Sequence, residues 1–143
     1  MIQITTSSFF TRLPAAFARI SIARWAPKGH RDLPTLRELA PGEWFRSVTV
    51  DQYADLYVTQ LAALDPRDIV RKIEDLAAGR PAALLCWERP HDDQFCHRGF
   101  VAWWFKQELG LNVYEFGRGI DGPGPFHPKL PDGYRLTLEP SLL

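Results

Sequence analysis

Ala82-Ala83-Leu84-Leu85-Cys86-Trp87 is a continuous apolar run with no polar alternation, the pattern of a strand covered on both faces. Such a strand belongs in the interior of its sheet. Beyond a polar loop, the stretch from His97 to Leu109 puts Val101, Trp104, Phe105 and Leu109 on one helical face, Trp103 on the opposite one, and Gly110 at the end. Asn112-Val113-Tyr114-Glu115-Phe116 then reads as another strand, so strand, helix and strand follow within about 35 residues, the size of a parallel crossover unit. The fold class that follows is α/β: a small three-layer, Rossmann-like, mostly parallel sheet with helices on both faces.

The elements upstream fit that frame. Thr49 with Gln52 makes a capping box, and Tyr53, Tyr57, Leu61 and Leu64 recur at helical spacing. Asp65 caps a second helix with Pro66 in its first position, Ile69, Ile73 and Leu76 on one face, and Gly79 at its stop. Between residues 19 and 24, large apolar residues alternate with small or polar ones, a strand ended by Pro27 and Gly29 and read as the first of the sheet. Residues 25–42 read as mostly loop, with room for a helical turn or two around Leu36 and Leu39. Residues 117–133 hold five glycines and four prolines, a composition that cannot continue a ladder. Residues 118–143 are therefore read as a Gly/Pro-rich loop and tail, with a further edge strand over Tyr134 to Leu138.

A chain of 143 residues, 45% hydrophobic and 24% charged, suits one domain spanning residues 1–143 that needs no metal or disulfide staple to fold. No stretch approaches the roughly 18 apolar residues of a membrane span. Seventeen Lys and Arg balance seventeen Asp and Glu, but residues 1–31 carry five basic residues and no acidic one. That start resembles a transit peptide superficially, yet it contains a core strand, which a removable segment should not. Two cysteines in the whole chain suit a reducing, cytoplasmic setting rather than a disulfide-built protein.

Open α/β sheets collect ligands at the carboxyl ends of their strands, where loops feed helix N-termini with free N–H groups. Arg24, the run Cys86-Trp87-Glu88 and the junction Cys96-His97-Arg98 all fall at that edge. A cysteine at a helix N-terminus beside a cation has its thiolate stabilised, so Cys96 reads as a nucleophile or as packing. His97 reads as an acid and base or as a partner of a loop carbonyl. Arg98 reads as a bidentate anion clamp, Arg24 as a clamp or a solvated charge, and Glu88 as a general base or an ion-pair partner. Cys86, inside the apolar strand, reads first as packing. Cys86, His91, Cys96 and His97 lack the paired spacing of a structural zinc site, and a Cys86–Cys96 redox pair, which the geometry allows, has no C-x-x-C spacing to support it. The expectation is accordingly no metal. Gly117-Arg118-Gly119 and Gly122 have the wrong order for a dinucleotide fingerprint, and no pattern points to a particular cofactor.

The residues from Ile20 to Lys28, the Tyr53 and Tyr57 helix with Leu64-Asp65-Pro66, and above all Leu84-Leu85-Cys86-Trp87-Glu88 with Cys96-His97-Arg98 and Val113-Tyr114-Glu115-Phe116 resemble the bacterial and phage family called domain of unknown function 488. The resemblance spans about residues 18 to 117. It implies an α/β domain whose signature residues group like a site, here Arg24, Cys86, Glu88, Cys96, His97 and Arg98. It brings no established reaction.

Two functions follow as expectations. One is an enzyme that binds a small anionic ligand, nucleotide- or sugar-phosphate-like, at the helix N-terminus, with Cys96, His97 and Glu88 catalytic and Arg24, Arg98, Cys86 and Lys28 ligand-binding. The other is a module that binds nucleic acid or a protein through the basic start, Trp25 and Trp103, with the cysteines structural.

Overall fold

The computed structural model describes residues 2–92, 94–117 and 122–131. Four parallel strands, β1 (Ile4–Ser8), β2 (Ala18–Ser21), β3 (Ala82–Cys86) and β4 (Tyr114–Glu115), lie in the order β2-β3-β1-β4. Helices α1 (Val50–Ala62) and α2 (Pro66–Ala77) join β2 to β3, and α3 (His97–Leu109) joins β3 to β4. The α/β, Rossmann-like class is thus the observed one, and the 82–86 strand is interior. The capping box on Thr49 and the Asp65 cap are both made.

The strand at the N-terminus was not expected. Ile4-Thr5-Thr6-Ser7-Ser8 looks too polar for a core, yet all five residues are buried. Their hydroxyls are satisfied within the fold: Thr5 Oγ1 donates to the Tyr114 carbonyl at 2.7 Å, Ser7 Oγ to that of Phe116 at 3.1 Å, and Ser8 Oγ to that of Trp87 at 3.1 Å. A hydroxyl with a partner can be buried at little cost. The strand around Ile20 is consequently second in the chain, and it sits at the sheet edge.

The layering also differs from expectation. All three helices contribute to one large apolar cluster, on the face that carries Ile4, Ile20 and Leu84. The other face is covered by loops, with Phe9, Leu13, Phe17, Ala26 and Leu33 packed around Ala83 and Leu85. Right-handed crossovers explain this. The β1-to-β2 connection runs across the sheet in the opposite direction to the two that follow, so it covers the opposite face. It is a short loop, so that layer has no helix. Trp103, expected on an exposed face, is partly buried against the helical cluster.

Part of the Gly/Pro-rich segment belongs to the domain. A 3₁₀ turn at Gly124–Phe126 and the residues after it pack on α3, and the Cys96 N–H donates to the Lys129 carbonyl at 3.0 Å. The expected strand over Tyr134 to Leu138 lies outside the described residues.

Candidate functional site

A cleft of about 710 Å³ opens at the carboxyl edge of β2 and β3. Its floor is formed by Cys86, Cys96 and His97, its walls by Phe45, Tyr53, Phe95 and Trp87, and its rim by Arg24, Trp25, Arg46 and Glu88. Five of the seven expected site residues therefore meet at one place: Arg24, Cys86, Glu88, Cys96 and His97. The crossover geometry brings them there, because the strand end and the next helix N-terminus in a βαβ unit lie side by side.

Two expected ligand-binding residues are placed elsewhere. Lys28 is exposed and does not line the cleft. Arg98 has no exposed surface, and its guanidinium is spent on Glu115, on the Glu88 carbonyl and on Cys86 Sγ at 2.9 Å. One helical position past Cys96 and His97, the chain turns its side chain under the cleft floor. The cation that joins Arg24 at the rim is Arg46, which stacks over Trp25 at 5.3 Å and Phe45 at 5.1 Å. Nothing in its local sequence marks Arg46, which sits in a short 3₁₀ turn (Glu43–Arg46) between the loop read over residues 25–42 and the helix capped by Thr49.

Arg24 is poised more openly. One Nη donates to the Pro41 carbonyl at 3.2 Å, the other lies 4.0 Å from the exposed Glu43 carboxylate, and the guanidinium stands over Trp25. Its Nε is buried without a hydrogen-bond partner among the described residues, a donor that a bound anion could satisfy.

The sulfurs of Cys86 and Cys96 are joined as a disulfide, contrary to the expectation drawn from their spacing. Ten residues of separation in sequence says little here, since Cys86 ends β3 and Cys96 caps α3. Cys86 lines the cleft as well as packing in the strand. The imidazole of His97 completes the floor. Its Nε2–H donates to the Ile22 carbonyl at 2.7 Å, which fixes the tautomer and leaves Nδ1 bare, 3.5 Å from Cys96 Sγ. Burial first, then the nearby Arg98 charge, hold His97 down at a pKa of about 4 against the pull of its carbonyl bond. His97 is therefore neutral at pH 7 and serves as an acceptor or ligand rather than an acid. Tyr53 has its phenol raised by burial and by the Glu88 carboxylate.

Behind the floor lies a polar network that the sequence reading missed. Thr6 Oγ1 donates to Glu115 at 2.8 Å and meets His127 Nε2 at 2.7 Å, while His127 Nδ1 accepts the Lys129 N–H at 3.1 Å. Lys129 Nζ in turn donates to the Asp92 and Gln94 carbonyls at 2.7 and 3.3 Å, which ties the loop before Cys96. An acidic residue inside a short core strand, Glu115, was the available signal.

Comparison with protein-family models, curated proteins and solved structures gives no match to this chain. No helix among the described residues is long and apolar enough to cross a membrane.

Proposed function

We propose that the chain is an enzyme that takes a small anionic ligand with a planar or apolar part, nucleotide- or sugar-phosphate-like, into this cleft and acts on it through Cys96. The observation that carries the reading is the convergence of Cys96, two arginines and an aromatic wall on one cavity at the carboxyl edge of a parallel sheet. Arg24 and Arg46 hold the anion, and Tyr53, Phe45 and Trp25 meet its planar portion. In the reduced protein the Cys96 thiol, at the N-cap of α3, gives up its proton to solvent, and the helix N-terminus stabilises the thiolate beside the neutral His97 imidazole. The thiolate then attacks an electrophilic carbon or phosphorus, and the leaving group departs with the bonding pair. Glu88 at the rim takes the proton of the water that releases the covalent intermediate. A thiol or dithiol reductant must first open the disulfide, which suits a cytoplasmic setting.

The test is native mass spectrometry of the purified protein, followed by binding of the recovered ligand to wild type and to Arg24→Ala/Arg46→Ala. A co-purified anion whose affinity drops in the double variant supports the reading. Failure of the double variant to weaken binding ends it, as does a Cys96 in reduced protein that alkylates no faster than an ordinary thiol.

One observation favours a second reading, a single-stranded nucleic acid across the mouth of the cleft. Trp25 and Trp87 are 56% and 46% exposed, the Trp87 indole donates to the Trp25 carbonyl, and Arg46 and Arg89 stack on Trp25 and Phe10. Exposed rings flanked by cations are base-stacking platforms. Affinity for a single strand that falls steeply with salt and is lost in Trp25→Ala supports it, and no binding at low salt removes it.

A further inference from the structure

Opening the disulfide leaves two thiols and a bare imidazole nitrogen crowded on the cleft floor. We propose that in the reduced protein Cys86 Sγ, Cys96 Sγ and His97 Nδ1 bind one thiophilic d¹⁰ cation of the Zn²⁺ type, with the fourth coordination position open to the cleft.

The three ligand atoms lie within 4.8 Å of one another, and all three residues are buried. Ligand lengths of about 2.3 Å for sulfur and about 2.0 Å for nitrogen put neighbouring S and N corners of a tetrahedron roughly 3.5 Å apart. Cys96 Sγ and His97 Nδ1 are separated by 3.5 Å. The α-carbons of Cys86 and Cys96 stand 7.5 Å apart, beyond the usual disulfide range of about 4.4–6.8 Å. That backbone spacing leaves room for a cation between the sulfurs once they part.

The surroundings match what a metal centre needs from its outer partners. The Ile22 carbonyl accepts the Nε2–H of His97, which orients the ring and keeps Nδ1 free as a ligand. Arg98 donates to Cys86 Sγ, a contact that persists on a thiolate. The charges close: two thiolates offset a divalent cation, and Glu115 offsets Arg98. C-x-x-C spacing is one way to converge two cysteines, and a βα junction is another. Formation is balanced in two steps. A thiol reductant gives two electrons and two protons to the disulfide and becomes a disulfide itself, and metal binding then releases the two thiol protons. The inference shares its cleft with the preceding proposal but does not depend on it. A coordinated Cys96 is withdrawn from nucleophilic attack, so metal and thiolate chemistry exclude one another.

The experiment is anaerobic titration of phosphine-reduced, folded protein with Co²⁺, then Zn²⁺. Expected are saturation at one equivalent with a sulfur-to-cobalt charge-transfer band and intense visible transitions of a tetrahedral site, displaced by Zn²⁺, with no such spectrum from the oxidised protein. Cys86→Ser should weaken binding more than about 100-fold, beyond what outer-partner changes cost. In case that variant folds poorly, wild type gives an independent readout: one equivalent of Zn²⁺ should slow alkylation of both cysteines, and a chelator should restore it. Absence of the charge-transfer band in reduced wild type, or full alkylation in the presence of Zn²⁺, overturns the inference. Loss of anion binding in Arg24→Ala/Arg46→Ala with the cobalt spectrum unchanged would separate this site from the ligand reading.

Discussion

Arg98 of α3 grips Glu115 of β4 with two prongs, Nη2 to Oε2 at 2.6 Å and Nε to Oε1 at 2.9 Å, and neither side chain has any exposed surface. The pair locks the helix to the strand that follows it, directly under the cleft floor.

Removing one member leaves the other charged, buried and short of partners. Arg98→Ala should therefore cost about 3–5 kcal/mol of stability. Arg24→Ala, at a partly open rim, should cost at most about 1 kcal/mol. Urea denaturation of the two variants checks the contrast. Equal losses would mean that Arg98 is not the structural cation and Arg24 not the accessible one.

Gly99 faces the segment that returns over α3. A methyl group there would collide with the backbone joining Lys129 to Leu130, where no flexible side chain can yield. Gly99→Ala should cost about 1–3 kcal/mol and loosen the Cys96 N–H, which donates to the Lys129 carbonyl. Hydrogen exchange at that amide measures it. Unchanged protection would show that the returning segment does not hold the Cys96 junction.

The pH dependence of the oxidised protein follows from His97. Its folded pKa of about 4 lies below the unfolded value of about 6.5, so the unfolded chain binds the extra proton between those values. Stability is thus fully present above pH 6.5 and falls as pH drops towards 4, by about 3 kcal/mol in all. Denaturation at pH 7 and pH 4.5 should show a smaller loss in His97→Gln than in wild type. Parallel curves would contradict the buried neutral imidazole.

Tyr57, fully buried on α1, donates its hydroxyl to the Leu39 carbonyl. Tyr57→Phe keeps the ring and abandons the carbonyl, so a loss of about 1–3 kcal/mol is expected from thermal or chemical unfolding. A loss near zero would mean that water reaches Leu39.

Elements with strong local signals were legible. The α3 helix begins at His97 and stops at Gly110, which adopts a left-handed φ of 65°, and the 49–52 capping box starts α1 as its residues require. The β1 strand was hidden because Thr and Ser carry no hydrophobic period; its burial depends on acceptors over 100 residues away, such as the Tyr114 carbonyl. Arg46 was hidden because its place at the rim depends on Trp25, 21 residues before it in the chain.

Residue type and spacing alone determined an α/β chain with an interior strand at 82–86 and a Cys-His junction at a helix start, because helix caps and apolar periods are properties of neighbouring residues. Only the tertiary structure decided which side of the helix start faces the cleft. One step along α3 separates His97 on the floor from Arg98 beneath it, and each helical residue turns the side chain by about 100°. Where that rotation stops is set by Glu115 in β4 and by Ile22 just past the end of β2, which hold Arg98 and His97 respectively.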